Sequence, residues 1–241
     1  MHYRRILLKL SGEALAGEKG FGIDTRILDE IVSRVKEATE SGVSVALVIG
    51  GGNFFRGTQA DEALDRVTAD SIGMLATVMN ALAFRAALAG SGVTCCLMSA
   101  LAIPGVAAPV DIQEARRRLD GGEVVIFAGG TGNPFFSTDT NAALRALEVG
   151  ADVLVKATKV DGIYDRDPVK DPGAVFFREL DYDEVLAGRL AVMDATAVSL
   201  CRENGLELRV INIFDPLSLK RLVAGEEVGT TVRGRRKDRG G

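Results

Sequence analysis

The 241-residue chain has one histidine, His2, so neither a Ser-His-Asp hydrolase nor a histidine-built metal site is plausible. Its three cysteines, Cys95, Cys96 and Cys201, are an odd number, and the adjacent pair on a strand would point to opposite faces. Buried, reduced thiols of a cytoplasmic protein are expected rather than a disulfide framework. With 6 prolines, 47% hydrophobic and 26% charged residues, a disordered or linker-rich chain is excluded. A net charge of −4 provides no global field toward nucleic acid or anionic lipid. The apolar stretch after Arg4 and Arg5 is short and is broken by Lys9, which argues against a secretory signal. Leu97 to Val110, taken as the most apolar region, holds Pro104 and Pro109 and falls short of the ~20 residues a bilayer requires. No membrane span is expected. There is no G-x-x-x-x-G-K-[ST], which excludes a P-loop kinase, and no G-x-G-x-x-G with the acidic residue of a dinucleotide site.

Glycine is in excess: 28 residues, about 12% against a usual share of about 7%. Short β-rich runs at Arg5 to Leu10, Val43 to Ile49, Val93 to Met98, Val124 to Ala128, Asp152 to Val155 and Glu207 to Ile211 alternate with helical periodicity. Several runs are apolar throughout, as in strands covered on both faces. A helix is expected from Asp24 to Gly42, with Leu28, Ile31, Val32 and Val35 as its apolar stripe. Others are expected at Asp70 to Ala89, Thr138 to Glu148, Val192 to Asn204 and Pro216 to Ala224. The βα alternation predicts an α/β fold, a three-layer α/β/α sandwich around a mainly parallel sheet. One domain is expected over 1–232, with a basic, solvated tail over 233–241.

Two strands run into glycine turns, Gly50-Gly51-Gly52-Asn53 and Gly129-Gly130-Thr131-Gly132-Asn133-Pro134. Ligands of open α/β sheets bind beyond the carboxyl ends of strands, and glycine there lets backbone N–H groups face an anion. Each turn alone could simply tighten a strand-to-helix connection. Together, flanked by Arg56 and by Ser137, Thr138 and Asp139, they point to phosphates. Lys9, before Ser11-Gly12, and Lys156 and Lys159, at another strand end, could stabilise a phosphoryl group in flight. Asp139 and Asp194 could organise lysine or magnesium, or could be helix N-caps, a role for which Asp139 is well placed.

Blocks in unbroken order from Tyr3 to Val232 resemble the bacterial uridylate kinase family. They are Lys9 to Leu15, Gly20 to Asp24, Val48 to Gly57, Asp70 with Gly73 to Asn80, Thr131 to Asp139, and Lys156 to Gly162. The resemblance implies the amino-acid kinase fold, a homohexamer, and transfer of the ATP γ-phosphoryl group to UMP with Mg2+ in pyrimidine nucleotide biosynthesis. It implies that Lys9, Leu10, Ser11, Gly12, Gly52 and Arg56 line the ATP phosphates, and that Thr158, Tyr164 and Asp167 bind the ATP nucleoside. Gly51 and Asp70 would hold UMP, inside a loop of Thr131, Gly132, Asn133, Pro134, Phe135, Phe136, Ser137 and Thr138. Lys9, Arg56, Asp139, Asp194, Lys156 and Lys159 form the candidate catalytic set.

The loop of Gly17, Glu18, Lys19, Gly20, Phe21 and Gly22 matches the family's activating-nucleotide segment, which suggests GTP as activator and UTP as inhibitor. Ala89, Cys96 and Glu123 occupy positions where some relatives carry side chains suited to a triphosphate, and Glu123 would repel one. Two rivals remain open: an amino-acid (carboxylate) kinase, and a non-catalytic nucleotide or oxyanion storage protein on the same fold.

Overall fold

A computed structural model describes residues 2–55, 64–188, 190 and 192–234. Strands β1 (Arg5–Leu10), β2 (Ser44–Ile49), β3 (Cys95–Ser99), β4 (Ala108–Pro109), β5 (Val124–Ala128), β6 (Val153–Thr158), β9 (Glu179–Asp181), β10 (Glu207–Asn212) and β11 (Thr230–Arg233) form one sheet. Its order is β4-β3-β5-β2-β1-β6-β10-β11-β9. Every pairing is parallel except β10 with β11. A separate antiparallel ribbon joins β7 (Ile163–Tyr164) to β8 (Phe176–Phe177).

Alternation along the central strands divides the core into two layers. Ile6, Leu8 and Leu10 of β1 join Leu47 of β2 beneath α2 (Thr25–Glu40), α3 (Arg66–Gly90) and α8 (Ser218–Ala224). Leu7 and Val48 face the other way, against α4 (Ile112–Asp120), α5 (Thr138–Val149) and α7 (Ala195–Glu203). The expected three-layer sandwich is therefore what forms. Cys95 packs into the first layer and Cys96 against the second, while Cys201 is buried.

The differences from expectation are local. Helix α3 begins before Asp70 because Asp65 caps it, accepting from Thr68 N at 3.0 Å. At 25 residues α3 is also long and apolar enough to cross a bilayer, contrary to the expectation that no segment is. In the fold Asn80, Phe84 and Leu88 of α3 are buried. Helix α7 starts at Ala195 rather than Val192, and α8 at Ser218 rather than Pro216. Helices α4, α1 (Gly12–Leu15) and α6 (Tyr182–Ala187) were not anticipated.

Candidate active site

Lys9 and Lys156 are register partners on β1 and β6, and both point to the α5 layer. Lys9 Nζ lies 2.6 Å from Asp139 Oδ1, and Lys156 Nζ donates to Asp139 Oδ2 at 2.9 Å. Lys156 also donates to the Val192 carbonyl. Burial alone would raise the Asp139 pKa, but the two ammonium groups outweigh it and hold the carboxyl below its usual range. Burial lowers the Lys156 pKa, assisted by repulsion from Lys9 and opposed by Asp139. Asp139 is thus the organiser of two lysines. It is not the N-cap of α5: that is Ser137, whose hydroxyl accepts from Thr140 N at 3.1 Å.

Asp194 is the N-cap of α7, accepting from Thr196 N at 3.0 Å and Ala197 N at 3.1 Å. It also accepts from the Ser137 hydroxyl, and from Thr140 Oγ1 at 3.0 Å. One carboxylate therefore binds the N-termini of α5 and α7 together, and those two ends, through Thr138 and Ala195, line a common cleft. Oriented N–H groups there favour an anion.

The glycine turns serve packing as well as access. A Cβ on Gly12 would fall 2.5 Å from Gly50 O and 2.8 Å from Gly52 N, so the turns after β1 and β2 meet backbone to backbone. A Cβ on Gly51 would lie 2.7 Å from both Ala76 Cβ and Gly73 O of α3. Asn53 and Asn80 exchange reciprocal amide hydrogen bonds of 2.9 and 2.7 Å, and Asn80 also donates to Gly50 O at 2.6 Å. Thr77 of α3 accepts from Gly129 N at 2.8 Å, fixing the second turn to the same helix.

The cleft has a volume of about 680 Å³, within the usual range for small-ligand sites. Gly51, Gly52, Asp70, Phe135, Phe136, Ser137 and Thr138, all singled out from the sequence, line it. Thr131 and Asn133 line an adjoining groove that shares Phe136 and Thr140, while Gly132 packs on Ala100. Pro134 lies in the same loop, half-buried. Arg66, Met74, Thr77 and Thr140 also line the cleft and were missed. Asp70, Met74 and Thr77 share one helical face, a spacing readable in the sequence.

A second cavity, of about 610 Å³, lies toward α2 and is lined by Ala14, Gly17, Arg26, Lys159 and Phe214 among others. Consecutive residues of α1 divide the two: Glu13 lines the cleft and Ala14 the second cavity. Lys159 is exposed there and Lys156 is the lysine beside Lys9, which separates two candidates the sequence left equivalent. Leu10 O accepts from Gly50 N at 2.9 Å, and Ser11 precedes α1 as its N-cap without a side-chain cap bond. Thr158 ends β6, its hydroxyl donating to Val160 O at 2.6 Å. Tyr164 packs edge-on against Phe176, and Asp167 accepts from Val169 N at 3.0 Å.

Gly17 to Gly22 follows the carboxyl end of β1, whereas Ala89, Cys96 and Glu123 sit where α3 ends and β3 and β5 begin. The fold of one chain places these at opposite ends of the sheet, and Glu123 accepts from Arg118 at 2.9 Å. Arg56 and tail residues 235–241 lie outside the described residues. Among the described residues no acidic, histidine and cysteine side chains cluster as a metal cage.

The amino acid kinase family model matches residues 4–212. A uridylate kinase of Stutzerimonas stutzeri is 55% identical over 231 residues, 95% of this chain and 94% of that protein. One of Methylococcus capsulatus is 54% identical over 95% of this chain and 97% of its own. Among solved structures, UMP kinase from Bacillus anthracis aligns with TM-score 0.94 at 37% identity, covering 98% of each chain. UMP kinase from Ureaplasma parvum aligns with TM-score 0.89 at 33% identity, covering 97% of this chain and 100% of that one.

Proposed function

The chain belongs to the amino acid kinase family, and we propose that it transfers the γ-phosphoryl group of ATP to UMP, giving ADP and UDP. The observation that carries this reading is the pair Lys9 and Lys156 on one carboxylate, at the end of β1 beside a cleft sized for a nucleotide. The named relatives, uridylate and UMP kinases, support UMP as acceptor.

Two polyanions must be brought together, and phosphoryl transfer asks mainly for positioning and charge neutralisation. UMP occupies the cleft between α3 and α5, with Gly51, Asp70 and the 131–138 loop around it. ATP approaches from the Lys159 side of α1, with Thr158, Tyr164 and Asp167 toward its nucleoside and residues 9–12 and Gly52 toward its phosphates. Lys9 and Lys156 then meet the transferring group. Asp139 is not a general base, since both its oxygens are engaged by ammonium groups and its pKa lies low. It holds the two ammonium groups in place and opposes the lowering of the Lys156 pKa by burial and by Lys9. Transfer is direct and in line, without a covalent intermediate.

Magnesium would arrive on the nucleotide phosphates, since among the described residues no three acidic, histidine or cysteine side chains are grouped to hold it on their own. When bound, magnesium neutralises charge on the phosphates. The reaction belongs to pyrimidine nucleotide synthesis in the cytoplasm, a setting in keeping with three unpaired cysteines. GTP activation and UTP inhibition remain part of the proposal, with the Gly17 to Gly22 loop as effector segment. A homohexamer is also part of the proposal, and Leu75 and Met79 of α3, one turn apart and each about half exposed, are candidates for a contact between copies.

The test is ADP release with ATP and magnesium against UMP, CMP, aspartate and acetylglutamate. Turnover with UMP is expected. Turnover only with an amino acid would overturn the acceptor, and none with any would favour a storage protein.

A further inference from the structure

Among the described residues Phe135 is the one non-glycine residue with a positive φ, at 72°. A bulky aromatic side chain is strained in the left-handed region and stays there only where its surroundings hold it. Two contacts do so. The Phe135 N–H donates to Asp70 Oδ2 at 2.7 Å, and the Arg66 guanidinium stands 5.5 Å from the centre of the Phe135 ring. Arg66 Nε closes the triangle, donating to the same Asp70 Oδ2 at 2.8 Å.

Spacing alone would make Arg66 and Asp70 an ordinary i,i+4 pair on a helix surface, worth little. Here the Asp70 side chain is largely buried, and the oxygen that takes the arginine also takes the backbone of the strained loop residue. Both donors converge on Oδ2. We propose that Arg66 is a positioning residue for the acceptor: by fixing the Asp70 carboxylate and clamping the Phe135 ring, it holds the 131–138 loop in the shape that receives UMP. This rests on UMP as the acceptor.

The test compares R66Q, R66K, F135G and R66Q/F135G with wild type, by steady-state kinetics and by amide hydrogen exchange at Phe135. R66Q is expected to raise KM for UMP about tenfold, with kcat, KM for ATP and Tm little changed, because a binding contact shared by ground and transition state moves KM alone. R66K recovers part of the loss, restoring the charge but not the planar fork over the ring. Glycine accepts φ 72° without strain, so R66Q costs less in the F135G background than in wild type. The Phe135 amide is expected to exchange about tenfold faster in R66Q, as local opening becomes easier. An unchanged KM for UMP, an equal change in kcat and KM for ATP, or unchanged exchange at Phe135 overturns the proposal. If wild type fails to phosphorylate UMP, the acceptor assignment falls, and the exchange measurement still decides the clamp.

Discussion

Lys9 and Lys156 lie side by side on adjacent parallel strands, and their ammonium groups close on opposite oxygens of one carboxylate, Asp139, at 2.6 and 2.9 Å. Two cations so placed repel each other, and the shared anion is what makes the arrangement tolerable. Its electrostatic consequences can be measured separately from the fold.

The first consequence is a pH shift. Asp139 raises the Lys156 pKa, while burial and Lys9 lower it, and the net value lies below 10.5. Removing the carboxylate charge in D139N lowers it further. The alkaline limb of the kcat profile should therefore move to lower pH, and an unmoved or upward-shifted limb would contradict the arrangement. In wild type the Asp139 carboxyl titrates below its ordinary 3.8. Its contribution to stability is then complete above that value and is lost as pH falls through the lower folded pKa. Acid denaturation of D139N should lack this component.

Lys156 and Lys159 should behave differently although they are three residues apart. K156A removes a cation from the Lys9 pair, and kcat is expected to fall by about 100-fold, the scale of losing one preorganised charge-stabilising group. K159A alters an exposed residue of the second cavity. A rise in KM for ATP with kcat little changed is expected. Equal kcat losses in the two variants would contradict the separation.

Gly51 tests whether the glycine turns pack. The Cβ of G51A would meet Ala76 and the Gly73 carbonyl at 2.7 Å, and a loss of about 1–3 kcal/mol in urea denaturation is expected for overpacking. G90A, in the same helix system, meets nothing within 4 Å. It should be neutral or stabilising by up to ~1 kcal/mol. A G51A protein as stable as wild type would mean that the turn is free to move.

Asp194 should matter for stability before chemistry. D194A removes the α7 cap together with the bonds from Ser137 and Thr140. A cost of about 2 kcal/mol is expected, at the upper end for a lost N-cap. D194N, which keeps the cap acceptor, should recover part of it, and an unchanged melting curve for D194A would remove its bridging role.

Much of this was readable from residues. The apolar runs of β1 and β2 identify central strands because burial on both faces leaves no polar alternation, and the glycine turns mark the carboxyl edge of the sheet. Capping was harder to place. Asp139 stands in the first turn of α5 beside Ser137, and only the direction of two lysines from neighbouring strands removes it from the cap. Lys156 and Lys159 differ in direction because β6 continues to Thr158 before turning, a boundary local pattern does not fix. Arg66 escaped notice because its partner Phe135 is 69 positions away, and a left-handed phenylalanine has no signature in composition.

The central claim is tested most directly by following the label of γ-phosphorus-labelled ATP in a single turnover with UMP and magnesium. Label should pass to UDP alone, with none on the protein at any time, and K9A should slow that step far more than it weakens UMP binding. Label retained on the protein, or absent from UDP, would contradict direct transfer at the Lys9 and Lys156 site.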